Sequence, residues 1–193
     1  VDSEGVIKPL GDSRRALQFL RYHANTLNID PSRIAMYGES AGAGASLWLA
    51  YHDDMADASN TDPVLRQSTR IAAVGAIETQ ASYDITRWET DVFVDYGITI
   101  DGVQAISPIL GQRLMSFYGV TRIEQLDSDA IVAYRADVDM LGLMSADDPD
   151  TWLRNSEQAL GIPLSAELLF HHAYHAREIR EQAITIGLTN VSY

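Results

Sequence analysis

The stretch RIAMYGESAGAGASLWLAYH, residues 33–52, decides how this chain is read. Its opening, RIAMYG, carries apolar residues on both faces, as expected of a strand in the middle of a parallel sheet. From Ala41 to His52 nearly every residue is apolar or small, which predicts a buried helix. Ser40 stands at the join, with Gly38 and Gly42 two positions to either side. A strand that turns into a helix over so few residues leaves little room for side chains, and the two glycines are expected to remove the clashes. The central residue is then forced into a strained backbone conformation, its side chain clear of the sheet's carboxyl edge.

A serine in that position lies at the start of the helix, where the dipole and free N–H groups favour negative charge. Ser40 is therefore the candidate nucleophile and the Ala41 N–H the candidate oxyanion donor, with Gly38, Glu39 and Gly42 completing the corner. The alternative is a glycine-rich turn packing helix on strand, with Ser40 as an N-cap.

Outward from this stretch, strands and helices alternate. DSRRALQFLRYHAN (12–25) predicts an amphipathic helix with Leu17, Leu20 and Ala24 on one face and Asp12 or Ser13 as cap. NIDPSR (28–33) is a turn. Residues 56–70 read as a polar loop, with or without a short helix, and IAAVGAIET (71–79) as a second buried strand. Residues 84–140 predict a helix-rich insertion whose aromatics Trp88, Phe93, Tyr96, Phe117 and Tyr118 either pack it or line an acyl pocket. DTWLRNS (150–156) predicts a third strand, preceded by a capped turn at ADDPD (146–150). HAYHAREIREQAITIG (172–187) is a helix with Gly187 at its C-cap, and TNVSY opens a fourth strand. Together these predict one α/β domain over residues 1–193, a parallel sheet flanked by helices.

Composition narrows the function classes. The chain has 193 residues, enough for a sizeable core. Its 46% hydrophobic and 21% charged residues are ordinary for a globular protein. Twenty-seven acidic residues against 14 basic ones give a net charge of −13 with no basic stripe, so no nucleic-acid partner is expected. The absence of cysteine excludes disulfides, thiolate metal sites and a cysteine nucleophile. No apolar run approaches the roughly 18 residues of a membrane span. Neither compartment nor oligomeric state follows from these features.

Between residues 28 and 57, NIDPSRIAMYGESAGAGASLWLAYHDDMAD resembles the α/β-hydrolase esterases and lipases, with DPSRIAMYGESAGA similar to the nucleophile elbow of carboxylesterase-type enzymes. DSRRALQFLRYHANTLNIDPSRI looks like the preceding helix and turn of the acetyl-esterase/lipase branch, and the later strands are similar too. The resemblance implies a serine esterase acting on a small-molecule carboxylic ester through an acyl-enzyme on Ser40, without a cofactor. It also implies parts that are harder to find. No His-Gly-Gly oxyanion loop precedes Asp12, and the family's histidine follows the last strand, where this chain stops. A fragment of a longer hydrolase, inactive or nearly so in isolation, is the expectation. The family's acid falls in NSEQALG, where Glu157 is the only carboxylate; Asp84, after the previous strand, is the position some relatives use, while Asp147 and Asp148 precede their strand.

The histidines of HHAYHAREIRE remain. His171 and His175 lie one helical turn apart with Glu178 beyond, but there is no H-E-x-x-H arrangement and no metal is expected. His172 is the candidate base for Ser40, which requires its ring within about 3 Å of the hydroxyl. Otherwise these side chains pack a helix start against loops. Two rivals to the esterase stay open: a peptidase or amidase on the same fold, and a non-catalytic relative that binds partners.

Overall fold

A computed structural model of the chain describes residues 4–155 and 161–193. Helix α1 (Ile7–Tyr22) is followed by the short α2 (Ala24–Leu27), strand β1 (Ala35–Glu39) and helix α3 (Ala41–Tyr51). Strand β2 (Ala73–Ile77) leads into the helical insertion, with α4 (Ile100–Ile106), α5 (Pro108–Met115), α6 (Asp129–Val138) and α7 (Met140–Leu143). Strand β3 (Asp150–Arg154), helices α8 (Ala166–His171) and α9 (Ala173–Ile186) and strand β4 (Val191–Ser192) complete the described chain.

The four strands form one parallel sheet in the order β1-β2-β3-β4, with Tyr37 opposite Gly75 and Gly75 opposite Trp152. Helix α3 is apolar all round because it packs centrally: Ala43, Leu47 and Leu49 are fully buried, and Trp48 and Tyr51 nearly so. Two ion pairs join the start of the insertion to its end, Arg135 to Asp84 at 3.0 Å and Arg87 to Asp139 at 2.8 Å. Its aromatic residues form a cluster, with Trp88 edge-on to Phe117, Phe170 and His175. Gln18, fully buried on α1, donates to the carbonyls of Leu65 and Gln67 and ties the 53–72 loop down.

Two local expectations change and one open alternative closes. The first helix begins at Ile7 rather than Asp12, with Val6 as an N-cap that makes no side-chain bond, and Leu20 is exposed while Leu10, Leu17 and Gln18 face inward. The 56–70 segment forms no helix; Asp57, Asn60 and Asp62 instead each accept from the amide two residues on. The strand at 33–38 is not in the middle of the described sheet. It pairs with β2 alone among the described strands, and Tyr37 on its outer face is 67% exposed. The helices cover the face that bears Val74, Ala76, Thr151 and Leu153; Tyr37 and Trp152 lie on the other. Apolar residues on both faces permit burial, but burial needs a layer to pack against.

Candidate active site

β1 ends at Glu39 and α3 begins at Ala41, so Ser40 alone makes the change of direction. Its φ of 51° and ψ of −117° lie in a region that costs a non-glycine residue about 1–3 kcal/mol. Two backbone bonds hold it there: the Ser40 N–H donates to the Ile77 carbonyl of β2 at 2.9 Å, and the Gly44 N–H donates to the Ser40 carbonyl at 3.0 Å. The glycines are not equivalent. A Cβ on Gly38 would stand 2.3 Å from the backbone carbonyl of Gly42, whereas one on Gly42 would meet nothing within 4 Å. Crowding is therefore one-sided, and only Gly38 is required by contact. Ala41, exposed at the first position of α3, has an N–H with no intrahelical acceptor.

The Ser40 hydroxyl is half-exposed, and the group that meets it is His171, whose Nε2 lies 2.9 Å from Oγ. The Nδ1 of the same ring is 2.9 Å from Oε1 of Glu167, one turn earlier on α8. A carboxylate only accepts, so Nδ1 carries the proton and donates to Glu167. In the neutral ring Nε2 is then the acceptor, and Ser40 donates to it. His171 is 15% exposed and Glu167 75%, so the carboxylate works largely through solvent.

A helix of six residues leaves its last carbonyls without intrahelical partners, and those of Leu169, Phe170 and His171 find side chains. His175 Nε2 donates to the Leu169 carbonyl at 2.9 Å and Gln80 Nε2 to the Phe170 carbonyl at 2.8 Å. The Asn155 amide donates to the carbonyls of His171 and His172 at 3.2 and 3.1 Å, and to that of Thr79 at 3.0 Å. Asn155 Oδ1 accepts from the Thr79 N–H, so one side chain joins the ends of β2 and β3 to the end of α8. His175 Nδ1 accepts from the Ala81 N–H. Complete burial pushes its pKa down to about 3, against the opposing pull of the bond to the Leu169 carbonyl, and keeps the ring neutral.

The structure brings Ser40 and Ala41 to this site and corrects two expectations. His172 does not approach Ser40. Its backbone (φ −57°, ψ 141°) interrupts the helix between α8 and α9, which turns consecutive side chains apart. The ring is fully buried, accepts from the Tyr174 N–H to cap α9 and donates to the Gly161 carbonyl. Asp84 is equally occupied elsewhere: its Oδ1 accepts from Arg135, Thr86 and Tyr118. Glu157 lies outside the described residues. Neither His171 as the serine's partner nor Glu167 was singled out by sequence reasoning; the available signal was the i, i+4 spacing of a carboxylate and a histidine at a helix start. No group of three His, Asp or Glu side chains that could hold a metal occurs among the described residues. No helix among them is long and apolar enough to cross a membrane.

Comparison with known proteins adds three findings. The BD-FAE family model matches residues 6–171. No curated protein sequence matches the chain. Among solved structures, the chain is similar to an acetyl ester-xyloside bifunctional hydrolase from Caldicellulosiruptor lactoaceticus (22% identity, TM-score 0.59, 95% of this chain and 53% of that one). It is also similar to a truncated carbohydrate esterase from gut microbiota (13%, 0.58, 95% and 57%). A third is a butyrate-bound thermophilic esterase from Thermogutta terrifontis (16%, 0.50, 97% and 54%). The chain thus spans a little over half the length of each.

Proposed function

The chain belongs to the BD-FAE family, an α/β-hydrolase-type esterase domain, and from that premise we propose that it hydrolyses carboxylic esters through an acyl-enzyme on Ser40. The observation that carries the reading is the 2.9 Å approach of His171 Nε2 to the hydroxyl at the strained corner, which has the form of a nucleophile elbow.

In the first half-reaction Ser40 Oγ attacks the ester carbonyl while its proton passes to His171 Nε2. Glu167 balances the imidazolium from the other side. The tetrahedral oxyanion accepts from the Ala41 N–H, a contribution on the order of 3 kcal/mol for one such donor. Collapse breaks the bond to the alcohol, which leaves with the proton from Nε2. Water then repeats the sequence on the acyl-enzyme, with His171 as base, and frees the acid. No cofactor enters either half.

A histidine in contact with Ser40 removes one reason for expecting an inactive chain; Ala41 is the one backbone donor identified at the corner among the described residues, so the expected turnover is slow. Structural neighbours described as acetyl-ester and carbohydrate esterases make short acyl esters, sugar-borne ones included, the first substrates to try. The test is hydrolysis of p-nitrophenyl acetate alongside labelling by a fluorophosphonate. Slow turnover and labelling are expected, both abolished in Ser40→Ala and both reduced about 10³-fold in His171→Ala, the scale of a lost general base. Equal labelling of the His171→Ala and unaltered proteins would remove His171 from the mechanism. Faster cleavage of anilides than of esters would favour the amidase reading, and an unlabelled Ser40 the non-catalytic one.

A further inference from the structure

Behind α8 lies a cavity of about 490 Å³, bounded by α4, α5 and the segment 161–166. At 100° per residue, Ala166 and Leu169, which line it, point about 150° away from Glu167 and His171 on the same helix. α8 is therefore a wall with the Ser40 partners on one side and this hollow on the other.

Two properties identify an occupant. The rim is aliphatic and open: Ile106, Ile109 and Leu164 are 89%, 86% and 88% exposed and Ile162 is 55% exposed. Such side chains gathered around one concavity mark a binding surface, and the volume falls in the range of about 300–1,000 Å³ used by small molecules. The second property is charge. Among the described residues no acidic side chain lines this cavity, and the one charged lining residue is Arg113. The Arg113 guanidinium rests on the Phe170 ring, 4.6 Å from its centre, and meets no carboxylate within ion-pair distance among the described residues. The hydroxyls of Thr99, Ser107 and Ser165 accept from helix amides, and the guanidinium is the one cationic group among the described lining residues.

We propose that this cavity binds an amphipathic carboxylate, its apolar tail among the isoleucines and Leu164 and its carboxylate on Arg113, at a site separate from Ser40. Acids of this kind are released when apolar acyl esters are hydrolysed, so under the function proposed above the ligand is of the product's class; the binding itself requires no chemistry at Ser40.

The test is calorimetric titration of the Ser40→Ala protein with octanoate, octan-1-ol and acetate. Saturable binding of one octanoate per chain is expected, at least tenfold tighter than octan-1-ol, with no binding of acetate. Arg113→Gln should weaken octanoate about tenfold. Ile109→Asp, at a side chain too exposed to matter for folding, should abolish binding by placing a like charge in the hollow. Equal affinity for acid and alcohol, or indifference to both substitutions, overturns the proposal. So does loss of octanoate binding once Ser40 of the unaltered protein carries a phosphonate, which would make the cavity the acyl pocket of the Ser40 site. Concentration-dependent dimerisation abolished by Ile109→Asp would assign the patch to a second copy instead. If the fluorophosphonate fails to label Ser40, the esterase reading fails while the titration still decides the cavity.

Discussion

Ser40 and His171 stand 2.9 Å apart, yet the first is fixed by its own backbone and the second by side chains from three other segments. At the corner, two main-chain hydrogen bonds and the close passage of Gly38 over Gly42 leave the serine one conformation. At α8, Asn155, Gln80 and His175 take up the carbonyls of residues 169–172 and hold a short helix that has little stability of its own. A proposed nucleophile set by the corner around residue 40 and a proposed base set by residues 80, 155 and 175 should fail differently. Damage to the corner should unfold the protein, whereas damage to the clamp should first cost activity.

The sharpest break in that comparison comes at Gly38. In Gly38→Ala the new methyl group would lie 2.3 Å from main-chain atoms that cannot rotate away, so β1 and α3 must separate. Overpacking of this kind costs about 3 kcal/mol, and urea unfolding should show it. Gly42→Ala is the control: its Cβ meets open space, and alanine in a helix should raise stability by up to about 1 kcal/mol. Equal damage at both positions would mean that the corner needs glycine for some reason other than contact.

Asn155→Ala comes next. It strips the donor from the carbonyls of Thr79, His171 and His172 and the acceptor from the Thr79 N–H. Unsatisfied buried groups of this kind cost about 2 kcal/mol in stability. The larger relative effect should fall on turnover: kcat about tenfold lower with KM little changed, because a shift of His171 affects proton transfer more than ester binding. A KM effect alone would make Asn155 a substrate contact. Asn155→Asp, which keeps the acceptor and removes the donors, should resemble the alanine variant in kcat.

This contrast explains what could be read from the residues. The α/β class, the helical insertion, the capped turn at 146–150 and the Gly187 C-cap are written in local patterns. Ser40 stands out because a strand-to-helix corner is a short-range steric matter. The exposure of the outer face of β1 is invisible in RIAMYG, since an apolar residue such as Tyr37 looks the same whether or not a layer covers it. His171 and His172 are adjacent, and no spacing rule prefers one; the extended backbone at His172 separates them, and it depends on what surrounds the α8–α9 junction. Glu167 looked like any helix-surface carboxylate.

The clamp also titrates. His175 has a pKa near 3 in the folded protein against about 6.5 when unfolded, so between those values the unfolded chain binds more protons. Stability from this group is whole above pH 6.5 and falls as pH drops toward 3, a loss of about 2 kcal/mol at pH 5. Thermal melts of the unaltered protein and His175→Gln at pH 7 and pH 5 check it. Glutamine, which does not protonate, should narrow the difference between the two pH values. An unchanged difference would place the acid sensitivity in another group.

The smallest expected effect is at Glu167. In a closed triad the carboxylate is buried, and its removal costs orders of magnitude because nothing else balances the imidazolium. Here the side chain is 75% exposed, water competes for the charge, and an exposed i, i+4 pair is worth only about 0.3–0.5 kcal/mol. Glu167→Gln retains an oxygen that can accept from Nδ1, so it should lower kcat no more than about threefold, and raising salt to about 0.5 M should erase most of that difference. Ester hydrolysis at low and high salt measures both. A hundredfold loss insensitive to salt would mean that the carboxylate is desolvated when substrate binds, and that α8 tightens against the corner during turnover, making the base as rigid as the nucleophile it serves.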